Sequence, residues 1–364
     1  MGKKIVLEGE TQLKTHVREV PTKKDDVFYN PHMRFARDIT VLFAQAVEPV
    51  NAFDVLAGSG ARGIRLAKEA GLKVTLNDAN PRACELICEN AKLNEVEVKI
   101  LNLKARKALS EGKYDYIDLD PFGPPTGFVD AAFMALDNRG YIGVCATDTS
   151  ALCGSYPKAC RRKYGAKSLR TEYYGELGLR ILCGFLAHAA LRQGFGVDFL
   201  FSHVTRHYMR VYLKALKKPS KKTRNLGEIV FLQHCFKCLR RNYRKLGELK
   251  PKCVCGGENT LCGPLWRGDI ADKKTCQRMR GFSGDLKTRD LLSLVGDEQR
   301  ISLPHYDLHK ISELKKTSPP KLSLVEEALK QAGYPYTRCH FNPHGFKTNA
   351  PLGKLLEVVG QIRN

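Results

Sequence analysis

The sequence lacks the features that would assign it to a membrane or to the secretory pathway. No apolar run reaches the roughly 18 residues that a membrane-spanning helix needs. The N-terminal Met1-Gly2-Lys3-Lys4 has no apolar segment of the kind that signal peptides carry. No internal repeat is visible, and tryptophan occurs only at position 266. We therefore expect a globular protein without a membrane partner, and nothing in the sequence indicates an obligate protein partner.

The cysteines do not form the pattern of a disulfide framework. There are thirteen, an odd number, and most are scattered singly through predicted helices and strands. This use of cysteine is typical of a reducing compartment, so we expect the protein in the cytoplasm. A length of 364 residues with 43% hydrophobic residues is enough for two domains, one of them large.

Acidic residues are scarce in the second part of the chain. Residues 1–200 contain 28 Lys and Arg against 24 Asp and Glu, a net charge of +4, whereas residues 201–364 contain 32 against 14, a net charge of +18. A generically basic protein would spread this charge evenly. The asymmetry favours a polyanionic partner, a nucleic acid, held by the C-terminal region.

Apolar runs alternate with helical patterns over the first part of the chain. Strands are predicted at 52–56, 73–77, 96–101, 114–118 and 140–147, with helices between them, which is typical of a parallel, doubly wound sheet. Two further strands, 197–203 and 209–216, are closely joined and therefore antiparallel. A sheet that ends in such a pair is known from class I S-adenosylmethionine methyltransferases. We predict an α/β protein with this Rossmann-like sheet, followed by a C-terminal α+β domain.

A glycine-rich turn follows the first of these strands. Asp54 lies within the strand, and Gly58-Ser-Gly60-Ala-Arg62-Gly63 leads into a predicted helix. Glycines let the backbone approach a ligand closely, and a helix N-terminus offers free N–H donors. Asp78 ends the next strand about 20 residues later, where an acid would bind ribose hydroxyls. The alternative role for Asp78 is to cap the helix predicted from Pro81.

The stretch Asp118-Leu119-Asp120-Pro121-Phe122-Gly123 follows the strand 114–117 and holds the candidate catalytic residues. The amine of an aromatic base is a poor nucleophile, because its lone pair is delocalised into the ring. It needs acceptors for its hydrogens and a surface that holds the base. Asp120 and the Pro121 carbonyl are suitable acceptors, and Phe122 is a suitable surface. The alternative is an ordinary helix start, with Asp120 as N-cap and Pro121 at the first position.

Residues 214–225 contain six cations and no acid, and we place the domain boundary there. The stretch is either a solvated linker or a contact for phosphates. The boundary divides residues 1–215, which include an N-terminal extension 1–34, from a basic domain 225–364.

Four cysteines in the second domain have the spacing of a structural zinc site. Cys235 and Cys238 form one close pair, and Cys253 and Cys255 form the other. The second pair is tighter than usual, and Cys262 or His234 could substitute for one ligand. We expect zinc in a structural role, because four thiolates leave no ligand position for water.

Several of these segments together resemble the tRNA (guanine(26)-N2)-dimethyltransferase family, in a compact archaeal form. The resemblance covers most of the chain and rests on the following segments: Glu8-Gly-Glu10, Phe28-Tyr-Asn-Pro31 with Arg37-Asp38, Gly58 to Gly63, Asp118 to Gly123, Ala146-Thr-Asp-Thr149, Gly263-Pro-Leu-Trp266 and Lys347-Thr348. It implies an S-adenosylmethionine-dependent methyltransferase domain over 1–215 and a tRNA-binding domain over 225–364.

The resemblance also implies roles for individual residues. Arg37, Arg62, Asp78 and Ala105 correspond to cofactor contacts, and Asp120 corresponds to the catalytic carboxylate. The family usually has an acid before this alanine, where the present chain has Lys104. The complete predicted sites are as follows: for catalysis Asp120, Pro121 and Phe122; for the cofactor Arg37, Asp54, Gly58, Gly60, Arg62, Asp78, Lys104 and Ala105; for zinc Cys235, Cys238, Cys253 and Cys255.

The predicted activity is methyl transfer to the exocyclic N2 of guanine 26 in tRNA, giving N2-methyl- and N2,N2-dimethylguanosine. Two alternatives stay open at this point. One is an amino-methyltransferase for ribosomal RNA or DNA, since such enzymes use a similar acid-proline-aromatic motif. The other is a zinc-containing tRNA-binding protein without catalysis.

Overall fold

The computed structural model describes residues 4–15, 26–299 and 301–362. It begins with a hairpin of β1 (Lys4–Glu8) and β2 (Thr11–Thr15), which the sequence did not predict. The sequence Asp26-Val-Phe-Tyr-Asn-Pro31 also predicts a short strand that runs into a turn, and the strand prediction is wrong. That segment forms no strand and leads into a 3-10 turn at Pro31–Met33, where the Asn30 side chain accepts a hydrogen bond from the His32 backbone N–H.

A seven-stranded sheet organises the first part of the chain. Its strands are β3 (Asn51–Asp54), β4 (Lys73–Asn77), β5 (Val98–Leu101), β6 (Tyr114–Leu119), β7 (Leu136–Ala146), β8 (Gly196–Thr205) and β9 (Tyr208–Leu216). The spatial order is β5-β4-β3-β6-β7-β9-β8. The first five strands in this order are parallel, and β9 runs antiparallel to both β7 and β8. The predicted Rossmann-like sheet with a terminal antiparallel pair is confirmed.

Helices connect and cover these strands. They are α1 (Arg34–Val47), α2 (Ala61–Ala70), α3 (Pro81–Leu93), α4 (Ala105–Ala108), α5 (Val129–Ala135), α6 (Thr149–Leu152), α7 (Pro157–Tyr164) and α8 (Tyr174–Arg192). Between the predicted strands 114–118 and 140–147 the sequence predicts a helix over 125–136, and this helix is shorter than expected. A 3-10 turn at Pro125–Gly127 comes first, and β7 begins at Leu136, so only seven residues form α5.

The rest of the chain is a mixture of helices and antiparallel strands, as the α+β prediction requires. Its elements are α9 (Pro219–Glu228), β10 (Ile229–His234), β11 (Arg241–Arg244), β12 (Thr260–Trp266), α10 (Lys273–Phe282), α11 (Leu286–Glu298), β13 (Tyr306–Asp307), α12 (Leu308–Lys315), α13 (Leu322–Gln331), β14 (Thr337–Arg338), β15 (Gly345–Lys347) and α14 (Leu352–Gln361). They form two three-stranded sheets, in the orders β11-β10-β12 and β13-β15-β14.

The basic stretch 214–225 is not an extended linker, so that interpretation is wrong. It comprises the end of β9 and most of α9, which packs against β8. The Asn225 side chain accepts a hydrogen bond from the Val197 backbone N–H. Gly196 leaves room for Lys221, since a Cβ there would lie 2.7 Å from the Lys221 Cγ. The placement of the domain boundary in this stretch stays a prediction.

The hydrophobic cores cross that boundary. Leu265 and Trp266 of β12 belong to the same buried cluster as Leu182 and Leu186 of α8. Cys276, Met279, Leu292 and Val295 of α10 and α11 share a second cluster with Phe43 of α1. The last segment, from Tyr306 to Val359, forms a separate cluster, against which Leu239 also packs. The first sheet is therefore packed against residues from the second part of the chain. Within the three described ranges, none of the helices combines the length and apolarity needed to cross a membrane.

Candidate active site

A cavity of about 1070 Å³ opens at the carboxyl ends of the parallel strands. The order of the strands reverses between β3 and β6, and such a reversal is where open α/β sheets bind ligands. Eight of the predicted cofactor and catalytic residues line this cavity: Arg37, Asp54, Gly58, Arg62, Asp78, Asp120, Pro121 and Phe122. The fold thus brings together residues that are up to 85 positions apart in the chain, the separation of Arg37 and Phe122.

The glycine-rich turn forms one wall of the cavity. Gly58 has a φ of +55°, and a Cβ there would lie 2.9 Å from the Phe28 carbonyl oxygen. Its N–H donates to the Asp78 carboxylate at 2.9 Å. Gly63, at the start of α2, donates to the Asp54 carboxylate at 3.1 Å. The two predicted acids therefore hold the turn from either end. This explains their positions within and after neighbouring strands.

Asp78 does not cap α3, so that alternative is wrong. The N-cap is Asn80, whose side chain accepts a hydrogen bond from the Arg82 N–H. Asp78 is half-buried and faces the cavity, and its Oδ1 accepts the Asn80 N–H at 2.9 Å. Asp78 therefore serves the glycine-rich turn and the cavity rather than the start of α3.

Three predicted cofactor residues are not part of the cavity lining in the described part of the chain. Gly60 has a φ of +78° and begins α2 as its N-cap, so its contribution is to the shape of the turn. Lys104 is exposed and precedes α4, and Ala105 is buried in the main core.

Arg37 faces a carboxylate, but this carboxylate belongs to the chain itself. Its Nε donates to Glu8 at 2.7 Å and its Nη2 to the other Glu8 oxygen at 2.5 Å. The Tyr29 hydroxyl donates to the same acid at 2.6 Å. Burial raises the pKa of Glu8, but the Arg37 guanidinium and the Tyr29 hydroxyl outweigh it and hold this pKa below its ordinary value. An ionised Glu8 on β1 thus ties the N-terminal hairpin to the cavity wall.

Asp120 lies at the end of β6 and forms an ion pair with Arg62 of α2. Its side chain is 21% exposed and faces the cavity. The Arg62 Nη1 donates to the Thr40 hydroxyl at 2.5 Å, and its Nε lies 3.2 Å from a carboxylate oxygen of Asp118. Thr40 and Asp118 therefore fix the guanidinium of Arg62, which in turn holds Asp120 at the cavity.

A second buried arginine completes this charge network. Arg210 of β9 forms an ion pair with Asp118, which also accepts the Tyr116 hydroxyl at 2.7 Å. Burial raises the pKa of Asp120, but the charges of Arg62 and Arg210 outweigh it and lower this pKa below its ordinary value. Asp120 is consequently ionised at neutral pH and can only accept hydrogen bonds.

Asp54 has the opposite electrostatic environment. It is 2% exposed. Burial and the nearby charge of Asp118 raise its pKa to about 7, although Arg62 opposes this shift. The site therefore contains one carboxylate that is ionised and another that titrates near neutrality, a separation that is common where a fold tunes acids for different tasks.

Pro121 and Phe122 complete the front of the cavity. No donor among the described residues reaches the Pro121 carbonyl. Phe122 is 48% exposed, and its ring meets the edge of Phe28 with 4.3 Å between centroids. The Gly123 N–H donates to the Thr147 hydroxyl at 2.8 Å, which fixes the loop after Asp120. The alternative of an ordinary helix start is wrong, since no helix begins at Pro121.

The site includes two functional residues that the sequence analysis did not single out. Arg210 is a charged residue inside an otherwise apolar strand, and this pattern alone indicates a buried ionic partner. Phe28 lies in the segment 26–31, which the sequence indicated only as a short strand and as part of a family motif. Its contact with Phe122 joins residues 94 positions apart, so no local signal could have revealed it.

The four predicted zinc ligands form one cluster. The Sγ atoms of Cys235 and Cys255 are 3.5 Å apart, those of Cys238 and Cys253 are 3.7 Å apart, and all four lie within 4.8 Å of one another. Zn–S bonds of about 2.3 Å in a tetrahedron place sulfur atoms roughly 3.8 Å apart. The backbone N–H of Gly257 lowers the pKa of Cys255 to about 7, whereas burial raises the pKa of Cys235 and of Cys238, so the fit to a metal rests on the distances. The cluster therefore fits zinc.

The two substitute ligands are engaged elsewhere. Cys262 is fully buried in β12 and belongs to the main core. The Nδ1 of His234 lies 2.7 Å from the Tyr173 hydroxyl. Within the described residues the metal cluster consists of the four cysteines that were predicted.

Comparisons with known proteins agree over nearly the whole chain. Residues 4–360 match the model of a family described as N2,N2-dimethylguanosine tRNA methyltransferase. A tRNA (guanine(26)-N(2))-dimethyltransferase of Methanobrevibacter smithii is 37% identical over 375 residues, covering 98% of this chain and 97% of that protein. One of Methanopyrus kandleri is also 37% identical, covering 100% and 98%. Among solved structures, Trm1 of Pyrococcus horikoshii in complex with S-adenosyl-L-methionine has a TM-score of 0.87 and 31% identity, covering 98% of this chain and 99% of that one.

Proposed function

The chain belongs to the N2,N2-dimethylguanosine tRNA methyltransferase family, and we propose that it transfers methyl groups from S-adenosylmethionine to the exocyclic N2 of guanine 26 in tRNA. The observation that carries this proposal is the position of Asp120. This ionised acid faces a large cavity, beside the half-exposed ring of Phe122 and the Pro121 carbonyl, which no donor among the described residues reaches.

The cavity suits an adenosine cofactor. Gly58 lies so close to the Phe28 backbone that no side chain fits, and Asp78 faces the space beside this turn. Asp78 would hold the ribose hydroxyls, the turn would accommodate the polar end of the cofactor, and Arg37 lies in the same wall. When bound, S-adenosylmethionine supplies an electrophilic methyl group on a sulfonium. We also propose that Lys104 and Ala105 lie at the edge of the adenine site, and this part of the proposal rests only on the family resemblance.

Asp120 and the Pro121 carbonyl would receive the two hydrogens of the guanine N2 amine. Holding both hydrogens fixes the orientation of the nitrogen lone pair, and Phe122 would hold the ring from its flat side. Positive charge develops on the nitrogen as it is methylated, and an ionised Asp120 stabilises that charge.

The lowered pKa of Asp120 bears on the fate of the proton. Arg62 makes this carboxylate a weak base. The methylated nitrogen, however, is strongly acidic while it is cationic, because its lone pair otherwise belongs to the ring. Asp120 can therefore accept the proton. It can then release the proton to solvent, because its side chain is 21% exposed. The low pKa returns the carboxylate to its ionised state before a second methyl transfer.

The second part of the chain would bind the tRNA. Its net charge of +18, from 32 basic and 14 acidic residues in 201–364, suits a polyanion. We propose that residues 1–215 carry the methyltransferase function and residues 225–364 the tRNA-binding function. A structural zinc on the cysteine cluster would stabilise the latter. The cytoplasm, where tRNA and reduced thiols coexist, is the compartment we propose.

The test is nucleoside analysis of tRNA after incubation with the protein and labelled S-adenosylmethionine. We expect label in N2-methyl- and N2,N2-dimethylguanosine. Label in a base of ribosomal RNA or DNA instead would favour the other amino-methyltransferases. Absence of cofactor binding in a titration would favour a protein that only binds tRNA.

The role of Asp120 is tested by Asp120→Ala and by the closer mimic Asp120→Asn. Both should lower the rate of transfer by about a thousandfold or more, because both remove the negative charge that stabilises the cationic nitrogen in the transition state. Affinity for tRNA should change little. The control is Asp137→Asn, an exposed acid on β7. Arg62 keeps Asp118 as a partner in both variants, so the fold should persist. Near-normal turnover in either variant would refute the assignment.

A further inference from the structure

A second cavity, of about 710 Å³, adjoins the first. The two share Arg206 and His207, from the turn between β8 and β9, as lining residues. The common wall means that a polymer with one unit in the first cavity can reach the second with a neighbouring unit. The proposed function assigns no role to this second space.

The walls of the second cavity offer flat surfaces. Tyr174 is 39% exposed, and the Arg170 guanidinium lies 4.0 Å above its ring centroid. Phe341, from the loop before β15, also lines the cavity and stacks on His305 at an interplanar angle of 4°. Aromatic and guanidinium planes of this kind are the surfaces on which unstacked bases bind in proteins that recognise single-stranded nucleic acid.

The charge of the second cavity is positive. Neither Arg170 nor Arg206 forms an ion pair with any residue that the structure describes. Glu172, the acid in the lining, is already paired with Arg241 at 3.1 Å. The first cavity also contains arginines, but Arg37 and Arg62 are paired with carboxylates there, and three aspartates line it: Asp54, Asp78 and Asp120. An anionic group such as a phosphate is therefore favoured in the second cavity.

His305 adds a polar atom that no group in the described chain satisfies. Its ring is 1% exposed, and its Nδ1 lies 3.0 Å from a carboxylate oxygen of Glu176. Burial raises the pKa of Glu176, but Lys347 and Arg180 outweigh it and lower this pKa well below its ordinary value. The Nε2 of His305 is buried and has no partner among the described residues. Because His305 also lines the second cavity, a base bound there would lie beside this polar atom.

We propose that the second cavity is a nucleotide subsite, which receives a residue of the tRNA directly adjoining the methylated guanine. Its base stacks against Tyr174 or Phe341, and its phosphate contacts Arg170. The inference rests on the proposed function, because that function puts the guanine in the first cavity. Both parts of the chain build the subsite, so it also provides a physical reason for the C-terminal residues 340–343 to lie beside the catalytic sheet.

The test combines a protein change with a change of one phosphate. Arg170→Gln removes the charge, and two tRNAs carry a neutral methylphosphonate on the 5′ or the 3′ side of guanine 26. We expect Arg170→Gln to bind unmodified tRNA about tenfold more weakly than the wild type does. We also expect the wild-type protein to bind one of the two methylphosphonate tRNAs about tenfold more weakly than unmodified tRNA. Arg170→Gln should bind that methylphosphonate tRNA about as weakly as it binds unmodified tRNA, because both changes remove the same contact. Tyr174→Ala should raise the KM for tRNA by a similar factor.

Two controls separate the subsite from other effects. Affinity for S-adenosylmethionine should be unchanged in both variants, since Arg170 and Tyr174 do not line the first cavity. Arg139→Gln, an exposed arginine near the start of β7, should bind every tRNA as the wild type does.

The outcomes distinguish this inference from the proposed function. The subsite would be overturned if Arg170→Gln bound tRNA with wild-type affinity. It would also be overturned if each methylphosphonate weakened tRNA binding to Arg170→Gln by the same factor as it weakens binding to the wild type. If the wild-type protein methylates no tRNA, the proposed function fails. Losses that do not multiply would still identify the second cavity as a tRNA site.

Discussion

The elevated pKa of Asp54 predicts how the stability of the protein depends on pH. Its carboxyl has a pKa of about 7 in the folded state, against an ordinary value of 3.8. Between these values the folded protein keeps a proton that the unfolded chain has released. Stability therefore falls as the pH rises from about 4 to about 7, and this contribution is constant above pH 7.

The magnitude follows from the difference between the two pKa values. About 3 units at 1.36 kcal/mol each correspond to roughly 4 kcal/mol over the whole range, of which about 2 to 3 kcal/mol falls between pH 5 and pH 7. Asp54→Asn removes the titration and keeps an oxygen that can accept the Gly63 N–H. The variant should thus resemble the wild type at pH 5 and become more stable than it, by about 2 to 3 kcal/mol, at pH 7 and above.

The assay is urea-induced unfolding at pH 5, 6, 7 and 8, without methyl donor, for the wild type, Asp54→Asn and Asp137→Asn. Other titrating groups cancel in the difference between two proteins. The exposed Asp137 control should give a difference that does not vary with pH. Parallel pH curves for the wild type and Asp54→Asn would refute the reasoning, because they would mean that Asp54 does not hold its proton.

Two further predictions concern the glycine-rich turn and the metal cluster. Gly58→Ala should weaken S-adenosylmethionine binding at least tenfold in a calorimetric titration and lower the free energy of unfolding by about 1 to 2 kcal/mol. The reason is that an added Cβ would press on the Phe28 carbonyl oxygen and that Gly58 has a φ of +55°. Unchanged affinity would contradict this prediction. Cys238→Ser should reduce the zinc content of purified protein, measured by atomic emission, and lower its Tm. Cys88→Ser, which changes a cysteine outside the cluster, should retain one zinc per chain. Equal zinc in both variants would exclude the site.

Local patterns were sufficient to predict the sheet. Each strand of the series is an apolar run bounded by a turn, and each helix between them has its own periodicity, so the order of elements could be read along the chain. The glycine turn and the motif at Asp120 were predicted for the same reason: the strand, turn and functional residue are adjacent in sequence. The structure agrees with the position of both at the carboxyl edge of the sheet.

Pairings between distant elements could not be predicted. Nothing near Asp120 indicates that Arg62 is its partner, since 58 positions separate them. The carboxylate facing Arg37 comes from Glu8, on a hairpin of two five-residue strands that the sequence analysis did not identify. The charge pattern of residues 214–225 suggested a linker, because a sequence does not distinguish Lys221, which packs against Gly196 and pairs with Asp198, from lysines in solvent.

The shared cores have a consequence for any attempt to dissect this protein. A cut after residue 224 would remove Leu265 and Trp266 from the surface of α8, and Met279 from that of α1, leaving wide apolar faces in water. Residues 1–224 alone should then aggregate rather than persist as a smaller enzyme. Truncation is therefore not a route to separating the two proposed functions, and the role of residues 225–364 is better tested by single substitutions within the full chain.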